Sequence, residues 1–468
     1  MSRPLATGLL LAGPLATFLL WLLGLPADMP PAAHLALGVT VWMGLWWVTD
    51  VVPMAVTALV PTLAFPLLGI LGARETADAY AHPMVFLFLG GFLIARAMEV
   101  VRLHERIALW VVLRFGGSPT RVLLGFMVAT GFLSAWMSNT ATCVMMMPLA
   151  LGTATFLGRT TDGHSAALPL LLGVAYSASV GGLTTILGTP TNGILASIAL
   201  ERYGVELGFA EWLAYGGPVA TALVAVTYAY LARVSGLSGR DAAETLAVVR
   251  RRYGELGAVR RDERTVAVVF GAVALAWSTR ALYDEVVPLT DPGIAVLGAT
   301  LLFALPGDRP NGRVLDWAEG VRIPWGVLLL FAGGLALAAG FTASGLADYL
   351  GAELAALATL PPWAVTGLVV AFVNFLTEVT SNVATASVVL PILAGLADAT
   401  GLEPVSLMAG ATLAASCAFM LPMATGPNAV VFASGELTVA YMVKRGFVLN
   451  VISIALVTAW MWALSALS

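Results

Sequence analysis

Long apolar runs recur along almost the whole chain, and few folds can accept them. They lie at about 5–25, 33–50, 53–72, 84–113, 120–137, 141–157, 166–200, 211–233, 265–283, 290–306, 322–344, 360–379, 383–397, 404–436 and 441–466. A helix that crosses a bilayer needs about 20 mostly apolar residues, so many of these segments are long enough. Apolar residues make up 59 % of the chain and charged residues only 11 %, too little charge to clothe a soluble surface of this size. Backbone polar groups in lipid must be satisfied within the segment, which leaves helix as the only reading for runs of this kind. The expected fold class is an all-α polytopic membrane protein, its principal partner the lipid bilayer. The first run, Leu5–Leu25, lacks a small-residue cleavage site and is long enough to span, so it is expected to remain as a helix.

Two pairs of runs, 120–137 with 141–157 and 360–379 with 383–397, are joined by only a few uncharged residues. A solvated loop between two crossings is poorly served by so short and neutral a link, whereas a re-entrant hairpin with a protein-buried tip suits it. With both pairs folded back as hairpins, about 11 transmembrane helices remain, and the basic residues sort to one side. That side collects Arg3, the cluster Arg96–Arg121, Arg159, the loop Arg233–Arg264, Arg309, Arg313, Arg322, Lys444 and Arg445. The other keeps Arg74, Arg202 and Arg280 amid many acids, among them Asp284, Asp291, Asp348 and Glu403. The positive-inside rule then places the N-terminus, the 234–264 loop and the first hairpin at the cytoplasmic face, and the second hairpin and the C-terminus outside.

The chain also repeats itself at a spacing of 243 residues: Gly90-Gly91 matches Gly333-Gly334, Leu103 matches Leu346, and Ser134 matches Thr377. Ser138-Asn139 matches Ser381-Asn382, Ala141-Thr142 matches Ala384-Thr385, and Pro148 matches Pro391. A second pair follows the hairpins, Gly188-Thr189-Pro190-Thr191-Asn192 against Ala424-Thr425-Gly426-Pro427-Asn428. Apolar stretches share a small alphabet, but polar Ser-Asn and a helix-breaking Pro on one offset are hard to obtain by chance. The copies enter the membrane from opposite sides, which is the inverted repeat of many secondary transporters.

Four polar, helix-breaking clusters stand in this apolar background: Ser134–Thr142, Gly188–Asn192, Thr377–Thr385 and Ala424–Asn428. Ser, Asn and Gly beside Pro make poor helix interiors and good caps, so helices should break there. A helix broken at membrane depth offers free carbonyls at one end and N–H groups with positive dipole at the other. The carbonyls, with Ser, Thr and Asn oxygens, suit Na⁺, and the N–H ends suit a carboxylate. None of the clusters carries Lys or Arg, so a dianion would depend on helix dipoles and bound sodium, a physical ground for coupling the two. The single acid there, Glu378, reads either as a proton carrier or cation ligand or as a brace for the hairpin. Arg96 and Glu99, three apart, read as a local ion pair, and Cys143 and Cys417 as small buried hydrophobes. There is no HExxH, GxSxG or Walker P-loop. Against a membrane enzyme stands the lack of a nucleophile, metal-ligand set or carboxylate pair at membrane depth; against an anion channel stand the paired hairpins and the inverted repeat.

These features resemble the divalent-anion:sodium symporter family of di- and tricarboxylate and sulfate transporters. The resemblance covers nearly the whole chain and is carried by FLFLGGFLI at Phe86–Ile94, Ser138-Asn139-Thr140, IPWGVLLLF at Ile323–Phe331, FLTEVTSN at Phe375–Asn382 and ASCAFMLPMATGPN at Ala415–Asn428. It implies an elevator-type homodimer. Scaffold helices would occupy 1–115 and 265–358, a transport domain 116–233 and 359–468, and a cytoplasmic loop 234–264. By position it implies one sodium site at Ser134, Ser138, Asn139 and Gly188, and a second at Thr377, Ser381, Asn382 and Ala424. Substrate carboxylates would meet Asn139, Thr140, Thr189 and Asn382, with Val383, Thr425 and Gly426 at the corresponding places of the second repeat. Two of these depart from the family pattern: Val383 stands where dicarboxylate carriers often have Thr, and Gly426 where Pro is usual. The resemblance implies sodium-coupled symport of C4-dicarboxylates such as succinate, malate and fumarate across the cytoplasmic membrane. Citrate, sulfate and sodium-independent exchange remain as alternatives within the same family.

Overall fold

Proline sets where the hairpin arms begin. Pro119, behind a Ser118 cap whose Oγ accepts from the Arg121 N–H at 3.3 Å, opens helix Pro119–Ser134, and Pro362 opens Pro362–Leu376. At the first helical position proline gives up an N–H that would have no partner there in any case. In the computed structural model each arm stops at a tight turn and returns, as Asn139–Leu157 and Asn382–Thr400 respectively, so both expected hairpins are present. The structure describes residues 3–23, 26–157, 165–237, 243–310 and 312–465. The expected placements of both chain ends, of Arg159 and of part of the 234–264 loop fall outside the described residues.

Among the described residues the fold is helical, and Pro306 and Arg313 pair in an isolated bridge. Seven helices of the described residues are long and apolar enough to cross a membrane, from Pro31–Thr49 to Val439–Ser465. Seven shorter apolar helices accompany them among the described residues, including the first arm of each hairpin and the first half of each broken helix.

Several runs that read as continuous are divided. The run at 166–200 becomes Ala167–Gly181 and Pro190–Tyr203, and that at 404–436 becomes Pro404–Ala415 and Gly426–Phe432, both broken at the expected polar clusters. The run at 53–72 splits at Ala58-Leu59, ahead of Pro61. The run at 84–113 splits at Arg102, whose φ of 62° is left-handed. Its partner 243 residues on is Gly345, with φ of 73°, which ends Trp325–Ser344 in the same way. An arginine in that conformation costs more than a glycine would, and it is anchored by Nε and Nη2 bonds to Glu105. Within the loop at 234–264 a helix forms at Ala243–Glu255, packed on Leu103–Phe115 and Asn139–Leu157 through buried Leu246 and Val249.

Cys143 and Cys417 are buried free thiols, as expected, and Arg96 bonds Glu99 at 2.6 Å. Arg96 also reaches Glu319, a partner that spacing alone did not reveal.

Candidate functional site

The two hairpin tips and the two broken helices meet at one place. At the first tip, Ser134 Oγ donates to the Ala178 carbonyl at 2.6 Å and stands 2.6 Å from the Asn139 amide. The inward atom of that amide also lies 3.2 Å from Ala178 O and 3.3 Å from Gly188 O. With nitrogen inward these are ordinary hydrogen bonds. With oxygen inward, Asn139 Oδ1, Ser134 Oγ and two backbone carbonyls form a convergent oxygen set, which only a cation makes favourable.

The second tip repeats the pattern. Thr377 Oγ1 donates to Asn382 Oδ1 and to Ala415 O, each at 2.8 Å. The helix breaks are braced identically: Asn192 Nδ2 donates to the carbonyls of Gly182 at 3.1 Å and Thr185 at 2.8 Å, and Asn428 Nδ2 to those of Ala418 at 3.1 Å and Leu421 at 3.0 Å. One amide thereby binds two carbonyls at each break: those of Thr185 and Leu421 also accept from Gly188 N and Ala424 N, whereas leaving the buried carbonyls of Gly182 and Ala418 bare would cost about 1–3 kcal/mol apiece. The inverted repeat is thus present in bond geometry as well as in sequence.

Glycines let these parts approach closely. A Cβ on Gly426 would lie 2.0 Å from Thr140 Oγ1, and one on Gly188 2.3 Å from the Gly182 carbonyl. Thr140, at the first tip, therefore sits against the second break, so the two repeats jointly enclose the site. Cys143 Sγ to Pro427 O at 3.5 Å and Tyr176 Oη to Phe419 O at 2.8 Å tie the same two halves.

The structure brings Ser134, Asn139 and Gly188 into one cluster and Thr377 and Asn382 into another. Ser138 and Ser381 stand at the tips, their carbonyls accepting from Thr142 N at 2.9 Å and Thr385 N at 2.8 Å. Ala424 belongs to the second break, its N–H bonded to Leu421 O at 3.2 Å. Thr189 and Thr425 are the N-caps of Pro190–Tyr203 and Gly426–Phe432, and Thr425 Oγ1 accepts from Asn428 N at 3.2 Å. The tips are unlike: Thr140 is exposed, whereas Val383 is buried. The carbonyls of Ala178 and Ala415 were not foreseen, because a backbone oxygen carries no residue signature. Only their places on the repeat could have pointed to them.

Glu378 is the matched counterpart of Ala135. Its carboxylate accepts from the N–H groups of Phe419 at 2.8 Å, Met420 at 2.9 Å and Leu421 at 3.0 Å, and from Asn450 Nδ2 at 2.8 Å. In the first repeat the Thr185 hydroxyl reaches the Ala135 carbonyl instead. Of the two readings left open by the sequence, this geometry is that of a brace: four donors already occupy the carboxylate.

A family model described as citrate transporter matches residues 45–414. The sodium-dependent dicarboxylate transporter SdcS of Staphylococcus aureus strain MRSA252 is 39 % identical over 471 residues, 97 % of this chain and 90 % of that one. SdcS of strain USA300 is 38 % identical over the same spans. Two solved structures share the fold at low identity. The YdaH transporter of Alcanivorax borkumensis has a TM-score of 0.56 and 13 % identity, covering 83 % of this chain and 88 % of that one. MtrF of Neisseria gonorrhoeae has a TM-score of 0.57 and 14 % identity, covering 83 % and 82 %. A helical membrane fold with two hairpins, a site shared by matched repeats and relatives aligned over nearly the whole of this sequence agree on one conclusion: the chain belongs to the citrate transporter family and is related to the sodium-dependent dicarboxylate transporters.

Proposed function

We propose that this protein carries C4-dicarboxylates together with sodium across the cytoplasmic membrane by alternating access. The observation that carries this reading is the matched pair of tip clusters, Ser134/Asn139/Ala178/Gly188 and Thr377/Asn382/Ala415, each rich in neutral oxygens. Hard neutral oxygens suit Na⁺, and where they fit it the bound ion supplies the positive charge that the site's own side chains lack. Ser134, Ser138, Asn139 and Gly188 would hold one ion, and Thr377, Ser381, Asn382 and Ala424 another. The first turns of Asn139–Leu157, Asn382–Thr400 and Pro190–Tyr203 present N–H groups to the substrate carboxylates, with Thr140, Thr189 and Asn382 beside them. Val383, Thr425 and Gly426 complete the wall. The relatives named for sodium-dependent dicarboxylate transport support both the ion and the substrate class.

Alternating access is supported by an asymmetry in how the segment 197–209 is held. His82 Nε2 lies 3.3 Å from both Glu201 and Ser197, Arg202 bridges Asp348 and Asp398, and Arg280 pairs with Glu206. The Phe209 N–H bonds Asp291 at 2.7 Å. Every one of His82, Arg280, Asp291 and Asp348 belongs to the proposed scaffold, so these contacts close one border of the transport domain. At the spacing of 236 residues that relates the two helix breaks, Glu201, Arg202 and Glu206 correspond to uncharged Leu437, Thr438 and Met442, while the charges of the matching segment 433–445 fall elsewhere, at Glu436, Lys444 and Arg445. A scaffold of this kind, with transport domains moving as elevators in a homodimer, is the arrangement that the family resemblance implies.

A competition panel tests the substrate class. Sodium-driven uptake of labelled succinate is expected to be inhibited by malate and fumarate well below the concentrations at which citrate or sulfate act; the reverse order would overturn the assignment. The Thr140 hydroxyl gives a sharper test. A hydrogen bond to a charged group is worth about 1.5–3 kcal/mol, so Thr140→Val is expected to raise half-saturating succinate about ten- to a hundredfold, while Thr140→Ser stays near the original value. Gly426→Ala, whose Cβ would displace that hydroxyl, should resemble Thr140→Val in uptake kinetics. Normal succinate kinetics in both would place the substrate elsewhere. For the closed border, Arg202→Gln is expected to raise the rate at which a cysteine introduced at Ser197 reacts with an impermeant thiol reagent. An unchanged rate would remove the latch.

A further inference from the structure

Beside the first hairpin tip lies a cavity of about 200 Å³, which shares Ser138 with the proposed sodium site and none of the residues proposed to meet the substrate. Ser138 and Ala141 of the hairpin form one wall, and Arg96, Glu99 and Arg322 the facing one. Ser138 is half-buried and lines the cavity directly, next in sequence to Asn139 of the proposed site.

The charges around the cavity are unevenly satisfied. Glu99 is held by Arg96 at 2.6 Å and is neutralised there. Glu319 is claimed by three guanidinium groups at once: Arg96 bonds it directly, Arg309 approaches within 3.6 Å and Arg322 within 3.3 Å. Arg309 has a second acceptor in Asp316 at 3.0 Å. Arg322 has the long 3.3 and 3.4 Å contacts to Glu319, and its side chain is 63 % exposed. Arg96 Nε–H is buried without a partner. Each guanidinium offers five N–H donors, so the cluster is balanced in charge yet rich in unused donors. Arg322, least firmly held and mostly exposed, gives up its present contact at little cost, since exposed ion pairs contribute little.

We propose that this cavity is a second, weaker carboxylate subsite, in which Arg322 exchanges Glu319 for one carboxylate of a dicarboxylate entering or leaving the tip. The proposal rests on the dicarboxylate reading above and adds a station outside the sodium-bearing site. The planar guanidinium fork matches a carboxylate in two parallel bonds, which a lysine cannot reproduce. Bound sodium supplies the charge for the inner site. Arg322 supplies it for the approach, where no sodium is held. A dianion released from the tip therefore meets a cation before it meets bulk water.

The test uses membrane vesicles of both orientations, so that labelled succinate is presented from each face in turn with sodium present. With Arg322→Gln, half-saturating succinate is expected to rise about tenfold from the face that the cavity opens to, and to stay unchanged from the other. Arg322→Lys, which keeps the charge and loses the fork, should shift that face about two- to threefold, and it keeps the test decisive if Arg322→Gln assembles poorly. Added choline chloride should weaken uptake from the cavity face in the unchanged protein, and much less in Arg322→Gln. Variants that match the unchanged protein from both faces overturn the proposal, as does an equal shift from both faces, which would mark a structural role. Absence of succinate uptake in the unchanged protein would overturn the dicarboxylate reading and this subsite together.

Discussion

Replacing Asn139 by alanine is expected to raise the sodium concentration for half-maximal uptake at least about tenfold, and to raise half-saturating succinate with it. The side chain stands at the one point where the Ser134 hydroxyl and the carbonyls of Ala178 and Gly188 come within 3.3 Å of a single amide. Removing it leaves those oxygens facing each other across a gap. A cation there then loses a ligand, and the first turn of Asn139–Leu157 loses its link to the Ala167–Gly181 break. A contact to an ion is worth about 1.5–3 kcal/mol; Ser138→Ala, which removes one proposed ligand and leaves the Asn139 amide in place, should raise the sodium requirement less. Asn382→Ala should act in the same direction, because Thr377 and Ala415 repeat the arrangement. Sodium titrations of labelled uptake measure all three. Unchanged uptake at fixed low sodium in both asparagine variants would dismiss the ion assignment.

Glu378→Ala is expected to prevent stable assembly, whereas Glu378→Gln folds with a lowered melting temperature and still transports. The carboxylate is 3 % exposed and accepts from three consecutive backbone N–H groups and from Asn450. Alanine strips Met420 and Leu421 of the acceptor they share, at about 1–3 kcal/mol for each buried donor. Phe419 N retains only a 3.3 Å contact to Asn450, itself released by the change. Against a net stability of about 5–15 kcal/mol for a folded domain, that is a large fraction. Glutamine keeps one acceptor oxygen and turns an NH₂ toward N–H groups, a partial loss. Thermal unfolding in detergent, with sodium-driven uptake alongside, separates the two roles. A well-folded Glu378→Gln that cannot couple to sodium would show that the carboxylate is a cation or proton ligand after all.

The parts of this structure legible in the sequence are those in which polar residues interrupt lipid-compatible runs. Ser138-Asn139 and Ser381-Asn382 announced the tips because nothing else explains such residues between neutral apolar arms. Asn192 and Asn428 matched in the repeat and make the same two backbone bonds. What stayed hidden has no residue signature. The Ala178 and Ala415 oxygens are backbone, and the break at Arg102 uses a left-handed conformation that only a glycine, as at Gly345, would advertise. Ala243–Glu255 lies in a charged stretch that reads as loop. Its burial comes from Leu246 and Val249 meeting two distant helices. Glu378 could be singled out in sequence but not assigned, since the donors that occupy it come from residues 419–421 and 450.

The central claim is that sodium entering the tip clusters drives the dianion across the membrane, and one measurement addresses it directly. Purified protein in proteoliposomes is given an inward sodium gradient, with no proton gradient and potassium-clamped voltage, and labelled succinate is followed with time. The account predicts accumulation above the external concentration that collapses when a sodium ionophore dissipates the gradient. Equal succinate entry with choline in place of sodium, or accumulation driven by a proton gradient alone, would contradict it.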